Sequence, residues 1–217
     1  MPTPIRIALA DDMELFLESL SALLANTDGE VEVVWSARTS EEVFEKMKAQ
    51  QPDVLLLDYV FKEKDIEGPE ICRLLLMEFP NLPVLMLSAH SDIAYIREAL
   101  AKGAKGYTSK EIGKKELLQG IRAVAQGAFF LDQTALSEVI RSVVLPSKKN
   151  SGALLTPRES EVALHYAKGK AVKEIAATLF ISEDTVESHI KNIRSKTGCT
   201  SRFEAGEWLK KNGLWEE

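Results

Sequence analysis

The sequence predicts an α/β fold, a doubly wound five-stranded parallel sheet, followed by a small all-α domain. Three observations carry this expectation. Short apolar, β-rich runs alternate with amphipathic helical stretches as far as residue 126. The strand signal stops after Gly127. A polar, breaker-rich segment, Pro146-Ser-Lys-Lys-Asn-Ser-Gly152, then precedes a stretch that carries only helical patterns.

Taken in order, the elements are a strand over Ile5 to Ala10, a helix from about Met13 to Leu24, a strand over Val31 to Ala37 and a helix over about Glu41 to Ala49. Thr39-x-x-Glu42 reads as a capping box at the start of that second helix. A strand over Val54 to Leu57, a helix over 69–78, a strand over Val84 to Leu87 and a helix over 92–101 follow. Gly106 to Thr108 and a helix over about 114–126 complete five βα units. Continuous apolar strands separated by helices imply a parallel sheet covered on both faces, because right-handed crossovers place helices there. This domain is assigned to residues 1–128, and residues 129–150 are read as a linker with a helical stretch, Thr134 to Val144. The second domain is assigned to residues 151–217. It opens with Thr156-Pro157-Arg158-Glu159, a capping box with proline at the first helical position. Helical patterns over 172–179 and 183–197 come next, the latter entered through Ser182 and ended by Gly198, and Ser201-x-x-Glu204 starts a last helix.

The composition, 45% hydrophobic and 28% charged over 217 residues, is that of a globular chain that folds in water. The longest apolar runs fall far short of the ~20 residues of a membrane span, and residues 1–30 carry acidic groups instead of a basic-then-apolar leader, so a cytoplasmic location is expected. Cys72 and Cys199, without C-x-x-C spacing, suggest neither zinc nor a disulfide framework. The net charge of −6 is uneven: residues 1–150 hold 17 basic against 23 acidic groups, and residues 151–217 hold 10 of each. A strongly basic domain is absent, so a case for nucleic acid must rest on the placement of charges.

In a doubly wound sheet the carboxyl ends of the strands line the ligand crevice. Here they bring Asp11-Asp12, Asp58, Ser88 and Lys110. Carboxylates converging at one sheet end repel one another, and a hard divalent cation relieves them, magnesium fitting best. Asp58 follows four apolar residues, so it sits at a rigid strand tip, suited to nucleophilic attack on phosphorus. Alone, each of these residues reads as a helix start, a turn or a loop charge; the conjunction carries the chemistry. Ala10-Asp11-Asp12, Leu57-Asp58, Leu87-Ser88-Ala89 and Gly106-Tyr107-x-x-Lys110 resemble the signatures of two-component receiver domains, over residues 5 to about 126. The resemblance implies that Asp58 accepts a phosphoryl group from a cognate sensor histidine kinase. It implies that Asp12, Asp58 and the carbonyl of Val60 ligate Mg²⁺, that Asp11 assists through water, and that Ser88 and Lys110 hold phosphoryl oxygens. Tyr107 is then the switch that moves inward when the Ser88 hydroxyl is drawn to the phosphoryl group. Such transfer asks the protein for positioning and charge neutralisation more than for covalent help. Two departures stand out. Phe61-Lys62 occupies the place where receivers commonly carry Met-Pro, and Gly68 falls about two positions late, so the loop Val60 to Glu67 is longer and charged.

The C-terminal Leu155-Thr156-Pro157-Arg158-Glu159, Lys173-Glu174-Ile175-Ala176, Ile181-Ser182 and Thr185-Val186-Glu187-Ser188-His189-Ile190 are similar to the LuxR-type helix-turn-helix, over 154 to about 214. The whole chain thus resembles a two-component response regulator of the NarL/FixJ family, a regulator of transcription and not an enzyme. The resemblance places the helix 183–197 in the major groove of double-stranded DNA, with Glu187, Ser188 and Lys191 at the reading positions. The resemblance implies that Lys173, Thr185, Asn192, Arg194 and Lys196 are phosphate contacts or flanking charges. Many relatives carry a basic residue where this chain has Glu187, whose carboxylate repels phosphates but accepts from cytosine N4. Ala171-Val172 replaces the polar cap that often precedes Lys173. Family membership implies homodimers, with helices 13–24, 92–101, 114–126 and 204–211 as candidate contacts.

A haloacid-dehalogenase phosphatase also uses a strand-end Asp with Mg²⁺ but needs a second Asp two residues on, where Val60 stands. A flavodoxin-like or dinucleotide enzyme wants a glycine-rich phosphate loop after the first strand, against Asp11-Asp12. The remaining alternative is a DNA-binding regulator with a vestigial receiver, controlled by protein contacts.

Overall fold

Apolar runs of four or five residues are too short for helices and too continuous for strands with one wet face, and they become the middle of a parallel sheet. The computed structural model describes residues 3–61, 66–144 and 155–215. The chain separates into two units, residues 1–140 and 141–217.

In the first unit, strands β1 (Ile5–Ala10), β2 (Val31–Ala37), β3 (Val54–Asp58), β4 (Val84–Ser88), β5 (Gly106–Ser109) and β6 (Phe130–Leu131) lie in the order β2-β1-β3-β4-β5-β6. Every pairing is parallel. Helices α1 (Glu14–Ala25), α2 (Ser40–Ala49), α3 (Gly68–Glu78), α4 (Ile93–Ala101) and α5 (Lys114–Ala125) make the crossovers. Side chains alternate across a strand, so β3 feeds two cores. Leu55 and Leu57 join Val43, Met47, Ile71, Leu75 and Ile96 from α2, α3 and α4. Val54 and Leu56 join Leu17, Leu20, Leu24, Leu117 and Ile121 from α1 and α5. Each such leucine contributes ~1.5–3 kcal/mol by leaving water, and this double burial is what holds the strand ends rigid. Thr39 caps α2 by accepting the Glu42 N–H at 3.2 Å, while the Glu42 carboxylate reaches back one residue beyond the cap, to the Arg38 N–H at 3.0 Å.

The sheet has six strands among the described residues, one more than the sequence predicts. Strand β6 is two residues long and carries no readable period; its Phe130 N–H donates to the Lys105 carbonyl at 3.0 Å. Residues 129–140, read as part of a linker with a helical stretch, pack with the first unit. They hold β6 and the start of α6 (Gln133–Val144), whose Ala135 is buried in the first core. The division between the two units falls inside α6, between Ile140 and Arg141. The breaker-rich stretch 146–152 lies outside the described residues.

The second unit is built from α7 (Pro157–Ala167), α8 (Val172–Leu179), α9 (Glu183–Thr197) and α10 (Arg202–Lys211). Val162, Ile175, Val186, Ile190 and Leu209 form its core. At the start of α7 the Thr156 hydroxyl accepts the Glu159 N–H at 3.2 Å and Glu159 Oε2 accepts the Thr156 N–H at 2.7 Å, the capping box expected there. Ala171 has no side-chain acceptor, yet α8 is anchored, because Glu174 Oε2 takes the Ala171 N–H at 2.7 Å. Phe180 turns the chain between α8 and α9 in the left-handed region, at φ 55°. Ser182 caps α9 by accepting the Thr185 N–H at 3.1 Å, and Gly198 ends it at φ +75°.

Candidate functional site

The carboxyl ends of β1, β3, β4 and β5 converge as the topology requires. Asp11 and Asp58 are buried, and Lys110 bridges them: its Nζ stands 2.6 Å from Asp11 Oδ2 and 2.9 Å from Asp58 Oδ1. The Lys110 N–H donates to the Ser88 carbonyl at 2.8 Å, which fixes where the ammonium emerges, and the Phe16 ring lies 4.8 Å from that ammonium. Asp11 Oδ1 accepts the Met13 N–H at 2.9 Å. Ligand atoms of Asp11, Asp12 and Asp58 all lie within 4.8 Å of one another. Asp11 Oδ2 is buried and meets the Lys110 ammonium alone. Three carboxylates that each offer an oxygen within this span suit a hard oxygen-seeking cation, so the residues present fit Mg²⁺.

Burial raises the carboxyl of Asp58 most, the Asp11 charge raises it further, and Lys110 and the Val60 N–H pull it back, leaving it at about 7. Asp11 is also raised, by burial first, against the pull of Lys110 and the Met13 N–H. Burial draws Lys110 down, but the two carboxylates outweigh it and its ammonium is held above the usual range.

Ser88 is buried, and its Oγ accepts the His90 N–H at 3.0 Å. Tyr107 already stands inward: it is 1% exposed, its hydroxyl donates to the His90 carbonyl at 2.7 Å and is hydrogen-bonded to Ser88. The position is held by an aromatic cluster that sequence reading missed. Tyr59 meets Tyr107 edge-on at 6.4 Å and Tyr95 at 5.0 Å, and His90 stacks on Tyr95 at 4.5 Å. The Tyr59 hydroxyl donates to Glu98 of α4 at 2.6 Å, and burial with that carboxylate pushes the phenol far up. Val60 follows at the surface of this cluster, and residues 62–65 of the unusual loop lie outside the described residues. Cys72 is buried in the core, its thiol pushed up to about 12 by burial, and Cys199 is buried in the second unit.

In the second unit Glu187, Ser188, Lys191, Asn192 and Arg194 lie on α9, and Lys173 is exposed near the start of α8. With Asp184, Tyr166, Val172, Ile190 and Arg202, most of these α9 residues line an open hollow of about 740 Å³. Arg194 donates to the Tyr166 hydroxyl at 2.8 Å, and the Arg202 guanidinium lies 5.1 Å from the same ring. Tyr166 and Arg202 were not singled out by the sequence, since their approach to α9 is tertiary. One expected contact is corrected. Thr185 is buried, its hydroxyl 2.7 Å from that of Ser182, because it occupies the inward side of the first turn. Lys196 is exposed, and its ammonium lies 2.6 Å from Glu159 of α7.

A buried strand-end carboxylate bridged by lysine, on a parallel sheet joined to a helical unit with an exposed third helix, defines a signal-receiving and DNA-binding class of protein. Residues 7–122 match the response regulator receiver domain family, and residues 153–209 match the bacterial regulatory proteins of the luxR family. The chain belongs to the response regulators that couple a receiver to a LuxR-type DNA-binding domain. It is 32% identical to the transcriptional regulatory protein LnrK of Bacillus subtilis (strain 168), over 97% of this chain and 98% of that one. It is equally 32% identical to the oxygen regulatory protein NreC of Staphylococcus aureus (strain JH9), over 97% and 99%. Among solved structures it resembles the response regulator ChrA of a heme-sensing two-component system, with TM-score 0.54, 27% identity and coverage of 99% and 100%. The RcsB–DNA complex shares the fold at TM-score 0.60 and 22% identity, over 95% and 98%. The family regulates transcription and is not enzymatic. Among the described residues no helix is long and apolar enough to cross a membrane.

Proposed function

We propose that Asp58 is the phosphoacceptor of this response regulator, that a sensor histidine kinase is its donor, and that uptake shifts dimerisation and sequence-specific binding to double-stranded DNA. The observation that carries the reading is Lys110, set at 2.6 and 2.9 Å between Asp11 and Asp58 at the strand ends. An Asp58 carboxylate oxygen forms the new bond to phosphorus as the bond from phosphorus to the kinase imidazole nitrogen breaks, its electron pair returning to the ring. Lys110 lies in reach of phosphoryl oxygens carried on Asp58, and Ser88 exchanges its bond to Tyr107 for one to the phosphoryl group. Asp11, Asp12, Asp58 and the Val60 carbonyl would hold Mg²⁺, which when bound supplies neutralisation of phosphoryl charge.

Residues 1–140 act as the receiver, and α9 of the second unit enters the major groove with Glu187, Ser188 and Lys191 toward base edges. Lys173, Asn192 and Arg194 face phosphates. A dimer doubles the half-sites covered, and the cytoplasm, where kinase domain and DNA meet, is the compartment. Full conversion of a two-state equilibrium needs ~5.5 kcal/mol of differential stabilisation, so dimer contacts add to the phosphoryl network and basal activity persists. Incubation with acetyl phosphate and Mg²⁺, read by intact mass, tests the reading. One added phosphoryl group is expected, lost in Asp58→Ala and in excess chelator; label that survives either change overturns it, and a wild type that takes up no label leaves a regulator governed by protein contacts alone.

A further inference from the structure

Asp132 is a buried carboxylate, 4% exposed, that the phosphoryl chemistry does not use. A carboxylate is costly to bury unless hydrogen bonds compensate it, and here three do. Oδ2 accepts from the Thr108 hydroxyl at 2.9 Å and from the Ser109 N–H at 2.5 Å. Oδ1 accepts from the Ala135 N–H, in the first turn of α6, at 2.7 Å. The Asp132 N–H donates in turn to the Tyr107 carbonyl at 3.3 Å. One side chain therefore clasps the end of β5 with one oxygen and the start of α6 with the other. The β5 residues it grips lie between Tyr107 and Lys110, and α6 runs on to Val144, past the boundary between the two units.

We infer that Asp132 is the positioning residue that carries phosphoryl uptake at Asp58 to α6, and through α6 toward the DNA-binding unit. The inference rests on the receiver reading above. When Lys110 and Ser88 turn to the phosphoryl group, the end of β5 moves with them, because the Lys110 N–H is bonded to the Ser88 carbonyl. Asp132 has no slack to absorb that movement, since both its oxygens are committed. The first turn of α6 follows.

Asparagine separates this role from mere packing. It has one acceptor oxygen and one donor amide, so Asp132→Asn satisfies either β5 or α6 and sets its amide against an N–H of the other. Ala135→Pro opens the α6 side, since proline in a first helical turn gives up an N–H the helix itself does not need; because Ala135 is buried, the variant's folding is read by circular dichroism as well. The test is amide hydrogen exchange of residues 133–144 in the full chain, with and without acetyl phosphate and Mg²⁺, with intact mass reporting occupancy. In wild type, exchange across α6 is expected to change by about tenfold on phosphorylation. In Asp132→Asn that response is expected to vanish at matched occupancy of Asp58. If Asp132→Asn does not fold, as read by circular dichroism, Ala135→Pro carries the same expectation. An α6 response of equal size in the folded variant, or none in fully phosphorylated wild type, overturns the relay. Absence of any phosphoryl uptake instead overturns the receiver reading. The relay is then decided by Lys110→Ala, which must alter α6 exchange in the wild-type background and not in the Asp132→Asn background; equal effects in both refute it.

Discussion

Gly68 lies so close to the carbonyl oxygen of Asp58 that a β-carbon at Gly68 would stand 1.9 Å from it. The Gly68 N–H also donates to the Tyr59 carbonyl at 2.8 Å, so the first turn of α3 rests on the backbone that leaves β3. The glycine thus meets the acceptor strand directly. Gly68→Ala must move backbone rather than a flexible side chain. We expect a loss of ~1–3 kcal/mol in stability, typical of overpacking, and phosphoryl uptake at Asp58 slowed about tenfold or more by misplacement of the site. Thermal denaturation and the acetyl phosphate labelling rate, taken on one preparation, check both. Wild-type values of each would mean that α3 reseats freely.

Lys196 is expected to act within the fold and not on DNA. Its partner Glu159 is 3% exposed and also holds the Thr156 N–H, so Lys196→Ala leaves a buried carboxylate with one bond fewer. Because the ammonium itself is partly solvated, the loss is put at ~1–2 kcal/mol. The salt dependence of DNA binding should be unchanged. Lys191→Ala, by contrast, should reduce the salt slope by about 1 if Lys191 meets a phosphate, or relax base preference by ~1–3 kcal/mol if it reads a base. Titrations over a range of salt, beside a denaturant curve, distinguish them; a reduced slope in Lys196→Ala would return that residue to the interface.

The sequence made legible what depends on local pattern. The continuous apolar runs of β3 and β4 specified buried parallel strands, and the Ser182 and Gly198 signals bracketed α9 at its observed limits. Asp11, Asp58 and Lys110 were legible as a set because strand ends converge in this topology. What escaped depends on partners distant in sequence. Nothing local marks Asp132 as a clasp, since Thr108 lies 24 positions away. Lys196 looked like one more outward charge because Glu159 is 37 positions away. Thr185 reads as polar and exposed until the cap shows it turned inward. Tyr59 carries no motif, yet it binds α4 through Glu98 and packs on Tyr107. Strand β6 is too short for any periodicity to declare it.

Glu187 is expected to set operator choice. It is exposed on α9 beside Ser188 and Lys191, where a carboxylate can accept from cytosine N4 and a lysine cannot. Selection from random duplex DNA should return sites whose preference changes in Glu187→Lys at one base position per half-site, by ~1–3 kcal/mol. General affinity should rise together with the salt slope, by about one unit, because a repelling charge becomes an attracting one. The same recovered site for both proteins would exclude Glu187 from base reading.

The raised carboxyl of Asp58 makes a prediction about pH and metal. Its folded value of about 7 lies above the ~3.9 of an unfolded aspartate. A group shifted upward by folding favours the folded chain most when protonated, so its contribution is complete below about pH 4 and is lost as pH rises through about 7. Over that window the metal-free receiver should lose stability on account of Asp58, and Asp58→Asn should flatten this part of the profile. Mg²⁺ binds the ionised carboxylates in competition with protons, so the stabilisation it brings should grow from about pH 5.5 to about pH 8. Thermal midpoints across that range, with Mg²⁺ and with chelator, for wild type and Asp58→Asn, provide the measurement. We expect the Mg²⁺-dependent rise in midpoint to increase with pH in wild type and to be small at every pH in Asp58→Asn. A rise independent of pH, or equal in the two proteins, would place the ion away from Asp58. The deciding comparison is at about pH 8, where the Asp58 carboxylate is ionised in wild type and its charge is missing from the variant.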